Sequence, residues 1–220
     1  MYLPPSFTFA DLAEVGAFVD AAQSADLVTF DGGKPVATLL PVIWDRPAEP
    51  AEGAYGKVLG HLAIANDQWK TAQPGAQALV IVHGPQAYIS PAWYESTARH
   101  GRTVPTWNYE LVHLTGPVTF YHDPEWLREM VTRLTRRHED GRDRPWTMAD
   151  APPDYISGQL RAIVGVEVAV TTVEAKQKLG QNRGRADQAS AAAGLRGEPG
   201  PGPAAIADLM LAHLSEDAPA

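Results

Sequence analysis

106-TWNYELVHLTGPVTFYH-122 is a long run of aromatic and β-branched residues with period-2 alternation, the pattern of extended backbone. Trp107, Tyr109, Leu111 and His113 fall on one face of such a strand, and Asn108, Glu110 and Val112 on the other. Gly116-Pro117 interrupts the run, and proline offers no amide hydrogen to a ladder. The stretch is therefore expected to form a pair of strands with a bend or bulge between them.

Similar strands lie on both sides. Upstream, 77-QALVIVHG-84 and 86-QAYIS-90 read as two strands, and 55-YGKVLGHLA-63 as another, closed by the polar turn 66-NDQWK-70. The runs 26-DLVTF-30 and 35-PVATLLPVIW-44 form a hairpin across 31-DGGK-34, where paired glycines suit a tight turn. Downstream, 163-IVGVEVAVTTVE-174 alternates as one strand. A helix over 12–23 is capped by Asp11, with Glu14 three residues on. A second starts at Asp123-Pro124 and runs to about His138, with Leu127, Met130, Val131 and Leu134 facing inward. A helical turn is expected near 153–162 and an irregular excursion over 91–105. Strands and helices do not alternate as βαβ units, so the class is mainly β with helices (α+β), a small antiparallel barrel. Residues 1–196 are expected to be one domain, and 197–220 a flexible linker followed by a short helix over 204–214.

Composition excludes several kinds of chemistry. With no cysteine there is no thiolate zinc site, iron–sulfur cluster or cysteine nucleophile. No apolar run approaches the ~20 residues of a membrane helix, and MYLPPSFTF has no basic segment followed by an apolar one, so a cytoplasmic location is expected. The net charge is −8, and the arginine-rich stretch 125–150 carries six arginines against six acids. It reads as a solvated helix with intrahelical ion pairs, and direct duplex binding is not expected.

Nucleotide-binding, zinc-protease and hydrolase signatures are absent from the chain. Four aromatic and amide clusters remain. The first is 60-GHLAIANDQWK-70, with His61, Asn66 and Trp69; alone, His61 reads as a hydrogen-bonded strand histidine more readily than as a ligand. The second is 84-GPQAYISPAWYE-95, with Tyr88 and Trp93, and the third 104-VPTWNYELVHLTG-116, with Thr106, Trp107, Asn108 and His113. The fourth, 176-KQKLGQNRGR-185, holds Lys176, Lys178, Gln181, Asn182 and Arg183 and no acid, which beside a cofactor suits phosphate or propionate groups.

In this order the four clusters resemble the PaiB family, the FMN-binding negative transcriptional regulators, from MYLPPSF to about Gly194. The resemblance implies a split β-barrel of the FMN-binding, pyridoxamine-phosphate-oxidase type. It also implies a homodimer with an interfacial cofactor and a small-molecule ligand. Some relatives within that fold bind haem, and one branch similar to PaiB, the piperazate synthases, uses haem to close an N–N bond from N5-hydroxyornithine. The usual ATHLP stands here as 37-ATLLP-41, A-R-A-N-P-Q-W as 63-AIANDQW-69, and K-aromatic-K-L-S-Q-N-R as 176-KQKLGQNR-183.

Three functions follow from the resemblance: a haem enzyme of the piperazate-synthase type, a flavin redox protein, and a regulator. The acidic charge ranks enzyme above regulator. A strand-end histidine beside an amide-rich turn ranks haem above FMN, with His61 as axial ligand. Lys176, Lys178 or His113 would serve as base. Asn66, Trp69, Tyr88, Trp93, Thr106, Trp107, Asn108, Gln181, Asn182 and Arg183 would surround the cofactor.

Overall fold

The computed structural model describes residues 1–9, 11–73 and 75–216. The chain runs α1 (Leu12–Ala22), β1 (Ser24–Asp31), β2 (Lys34–Pro41), β3 (Ile43–Asp45), β4 (Lys57–Ala63) and α2 (Gln68–Thr71). It continues through β5 (Gln77–Ile89), α3 (Glu95–His100), β6 (Thr106–Tyr121), α4 (Pro124–Glu139) and α5 (Pro153–Leu160). Strands β7 (Ile163–Ala169) and β8 (Thr172–Lys178) and helices α6 (Arg185–Leu195) and α7 (Pro201–Glu216) complete it. The sheet order is β2-β1-β5-β6-β7-β4-β3, with β8 also on β6. The class is α+β, as the strand and helix patterns imply.

Helix α1 begins where Asp11 Oδ1 accepts from the Ala13 and Glu14 amides at 2.7 and 3.1 Å, and it ends at Gln23, whose φ is +63°. The β1–β2 hairpin turns at Gly32 and Gly33, with φ of +54° and +93°, the region in which glycine is least penalised. At α4, Asp123 Oδ1 accepts from the Trp126 amide at 2.7 Å and Pro124 takes the first helical position.

Four strand expectations are corrected. The expected strand 35–44 is two, β2 and β3, with Val42 between them bonding the Gln23 carbonyl at 3.1 Å. Strand β6 is continuous through Gly116-Pro117. A Cβ at Gly116 would lie 1.8 Å from the Ala169 carbonyl oxygen, so the glycine serves a close approach of backbones. Pairing with β7 begins only at Val118↔Val168, so Pro117 is not asked for a ladder hydrogen bond there. The expected strands 77–84 and 86–90 are one strand, β5. The expected strand 163–174 is two, because Val170 and Thr171 turn aside to bond the Gly56 and Thr115 carbonyls at 2.8 and 2.9 Å.

The chain divides into two compact units. The first comprises Met1–Val15, His83–Val112 and Glu174–Ala220. Its core gathers Ile89, Tyr94, Leu179, Ala191, Leu195, Ile206 and Met210, so α6 and α7 bury their small and apolar residues there. Helix α6 was not anticipated, since 185-RADQASAAAGL-195 carries only alanine and one leucine as apolar residues. Helix α7 begins at Pro201, inside the segment read as a linker, and 217–220 lie outside the described residues. The irregular excursion includes a short 3-10 turn over Pro91–Trp93 and the helix α3.

The second unit comprises Gly16–Val82 and His113–Val173. Its strands β1–β4 and β7 curl until β4 meets the end of β2. A Cβ at Gly60 would stand 2.7 Å from Leu40 Cδ1 and 3.1 Å from the Pro41 carbonyl. Helix α4 covers this unit with Leu127, Met130 and Leu134 buried. Two of its four arginines pair with other elements and not within the helix as expected, Arg133 with Asp45 at 3.1 Å and Arg137 with Asp20 at 3.1 Å, while Arg142, beyond its end, pairs with Glu139 at 3.4 Å. No helix among the described residues is long and apolar enough to cross a membrane.

Candidate cofactor site

Strand β4 alternates, so Val58, Gly60 and Leu62 point one way and Lys57, Leu59, His61 and Ala63 the other. The first set faces Leu40 and Val42. Gly60 therefore makes room for a core leucine, and not for a cofactor beside His61. The imidazole of His61 faces a cleft of about 360 Å³ beneath α4 and α5, walled by Val131, Met148, Ile156, Leu160 and Ile163. Trp146 and Tyr155, 43% and 58% exposed, stand at its mouth.

The Nδ1 atom of His61 is buried without a hydrogen-bond partner. Buried ring nitrogens are normally paired, so this one is left with a lone pair or a proton and nothing to share it with. Burial holds the imidazole below the ordinary histidine value of 6.5, which keeps it in the neutral form that a metal requires. Among the described residues no three His, Asp or Glu side chains come close enough to hold a bare metal ion. A group that brings its own equatorial ligands needs only the one imidazole. Apolar walls, flanking aromatics and a neutral, unpartnered imidazole fit haem on these grounds.

Asn66 and Trp69 belong to the same unit, with different work. The Asn66 carboxamide donates to Thr38 Oγ1 at 3.0 Å and accepts from the Gln68 amide at 3.0 Å. The buried Gln68 in turn accepts from Thr38 Oγ1 at 2.6 Å and donates to the Leu27 carbonyl, Thr29 Oγ1 and the Val36 carbonyl at 3.1, 3.1 and 3.2 Å. These amides fasten α2 to β1 and β2. Trp69 donates to the Ile64 carbonyl at 3.0 Å and meets His122 edge to face, ring centres 4.8 Å apart. Leu39 is 66% exposed on β2.

The remaining candidates except His113 lie in the first unit, where the alternation of β6 inverts its polarity. Asn108 and Glu110, 1% and 8% exposed, are on the buried side, while Trp107 is on the exposed side. Lys178 Nζ donates to Thr106 Oγ1 and to the Trp107 carbonyl, the latter at 2.7 Å. Burial, with the charges of Lys176 and Arg183, holds its ammonium below the usual lysine value. Lys176 donates to the Tyr2 carbonyl at 3.0 Å and lies over the rings of Tyr2 and Tyr109 at 5.4 and 5.5 Å. Trp107 donates to Gln86 Oε1 at 3.0 Å and stands 6.4 Å from Tyr88.

Trp93 packs against Gly194, where a Cβ would come within 2.5 Å of the indole. Gln181 folds back onto the Leu179 amide at 2.8 Å and the Gln177 carbonyl at 2.7 Å. Arg183 covers the Tyr94 ring at 4.7 Å, and Asn182 is exposed. His113 is half-buried on β6 in the second unit. The structure thus brings Lys176, Lys178, Thr106, Trp107 and Tyr88 into one neighbourhood, and gives Trp93 and Gln181 structural contacts. Trp146 and Tyr155 were missed, because both sit in stretches dominated by charge and proline.

Residues 1–172 match the family described as "Putative FMN-binding domain". Over 210 residues, and 96% of each chain, the sequence is 33% identical to the Protease synthase and sporulation protein PAI 2 of Bacillus subtilis. The chain belongs to the PaiB family. Among solved structures it is similar to the flavocytochrome Anf3 from Azotobacter vinelandii, with a TM-score of 0.54 and 17% identity over 78% of this chain and 69% of that one. It is equally similar to an FAD and heme binding protein from Mycobacterium smegmatis, with a TM-score of 0.54 and 16% identity over 79% and 74% of the two chains. Likeness at that identity establishes the split-barrel fold of this PaiB-family chain, and the cofactor has to be argued from its own residues.

Proposed function

We propose that the protein is a haem-binding member of the PaiB family in which His61 would hold the iron, acting in the cytoplasm on a small N-hydroxylated diamine acid. The observation that carries this reading is the buried, unpartnered Nδ1 of a neutral imidazole facing an apolar cleft. The family's FMN description, and neighbours described as a flavocytochrome and as an FAD and heme binding protein, leave both chemistries within the fold's reach.

Bound there, haem would supply a Lewis-acidic iron for the oxygen of an N-hydroxyl group. In the reaction of the piperazate-synthase branch, the α-amine displaces that oxygen from N5 of N5-hydroxyornithine. An N–N bond forms, the N–O bond breaks, and water leaves as the amine gives up a proton. The chain would contribute the largely apolar wall that excludes water around the imidazole.

A second reading rests on a separate observation. Lys176, Lys178 and Arg183 lie close enough for mutual repulsion to act on Lys178, and a phosphate would relieve it. That favours FMN, in line with the family description. One titration separates the two. Purified apoprotein mixed with hemin should develop a Soret band that His61→Ala abolishes while circular dichroism is unchanged. A two-banded flavin spectrum on mixing with FMN, lost in Lys178→Gln and retained in His61→Ala, would replace haem by flavin.

A further inference from the structure

A second cleft, of about 400 Å³, opens at the N-terminal end of α4 and the C-terminal end of α5. Its floor is apolar: Ile64, Leu127, Leu160 and Ile163. Its rim carries Arg128, Arg161 and His122 and no carboxylate. In a chain of net charge −8, four of the eight arginines of the second unit are paired with acids: Arg46, Arg133, Arg137 and Arg142. Among the described residues neither Arg128 nor Arg161 has an ion-pair partner, and the longest reach of Arg128 is to Met148 Sδ at 4.0 Å.

The two helix ends roughly offset one another, the positive end of α4 against the carbonyl end of α5. The two guanidinium groups therefore set the sign of the field at the rim. A guanidinium fork pairs most favourably with a planar carboxylate, and the low-dielectric floor strengthens that pairing. An apolar floor also excludes a bare inorganic anion as the best-fitting occupant, because such an ion would leave the floor wet. Position 64 adds to this. Ile64 lines the cleft and extends its hydrocarbon surface.

We propose that this cleft is a ligand site distinct from the His61 cleft, taking a small amphipathic carboxylate whose hydrocarbon body lies on Ile64, Leu127, Leu160 and Ile163 and whose carboxylate is held by Arg128 and Arg161. The two clefts share only Leu160 and Ile163. The proposal goes beyond the haem reading and stands without it.

The test uses the full chain, with octanoate as probe and octanol and octylamine as controls, followed by titration calorimetry and ligand-observed NMR. Octanoate should bind at least tenfold more tightly than either control. Arg128→Gln and Arg161→Gln should each weaken it about tenfold without changing the thermal midpoint, since neither side chain holds the fold. Ile64→Arg should weaken octanoate by interrupting the floor, and His61→Ala should leave its affinity unchanged. Octanoate binding no tighter than octanol, or indifferent to both arginine variants, overturns the proposal. Loss of octanoate in His61→Ala would place the ligand in the other cleft and overturn it as well.

Discussion

His61 on β4 and Gly165 on β7 stand directly opposite each other in their antiparallel ladder. Opposed residues present their side chains on the same face, and at Gly165 that face is occupied by Trp126. A Cβ there would fall 2.1 Å from Trp126 Cζ3. The indole is stacked on Tyr121 at 4.4 Å with 9° between planes, so it has little freedom to retreat. The absence of a side chain opposite the imidazole is thus what lets α4 close over this face.

Gly165→Ala should destabilise the protein by about 1–3 kcal/mol, the range for overpacking a filled interior. Urea denaturation measures it. Trp126→Leu in the same background should recover part of the loss, because it removes the obstructing ring.

The depressed His61 value gives stability a pH dependence whose sign is fixed. Burial disfavours the charged imidazole in the folded state, so the unfolded chain binds more protons below the ordinary value of 6.5. Stability should fall as pH drops below about 6.5 and level off beneath the folded value. His61→Leu should remove that component, read as the difference between denaturant midpoints at pH 7.5 and 5.5.

Glu110 acts in the opposite sense. Burial pushes its carboxyl up, and the 2.6 Å hydrogen bond from Gln177 Nε2 only partly offsets this. Its contribution is therefore fully present at low pH and is lost as pH rises through the folded value. Glu110→Gln keeps an acceptor for Gln177, and should be neutral at pH 4 but stabilising at pH 8 by thermal melting. A variant less stable than wild type at pH 8 would mean the carboxylate is satisfied by an additional donor.

Gln68 tests the fastening of α2. Gln68→Ala removes the donor to the buried Thr29 hydroxyl and to the Leu27 and Val36 carbonyls, and the acceptor of the Thr38 hydroxyl. A loss of about 3 kcal/mol in denaturant follows from unsatisfied buried groups at roughly 1–3 kcal/mol each. Hydrogen exchange should quicken first in α2 and the β1–β2 hairpin.

With a net charge of −8, specific duplex binding at physiological salt should be absent or weak in a gel-shift titration with competitor DNA. Tight, competitor-resistant binding would restore the regulator as the leading function.

By itself the sequence determined what depends on near neighbours. Asp11 and Asp123 announce the starts of α1 and α4 because a cap bonds amides two or three residues away. The Gly32-Gly33 turn and the period-2 faces of β6 were legible for the same reason. Family membership was legible too, since the four motifs keep their order and spacing. The tertiary structure decided what depends on distant partners. The sequence marks Gly116-Pro117 as a break, yet β6 continues because Ala169, far along the chain, needs the room a glycine leaves. Helix α6 has a weak apolar pattern and forms by burying alanines against α7 and Tyr94. Asn66 looks like a cofactor residue until Thr38 and Gln68 are seen to use its amide. His61 looks like an ordinary strand histidine until its Nδ1 is found buried with no partner, because only packed helices decide what an imidazole meets.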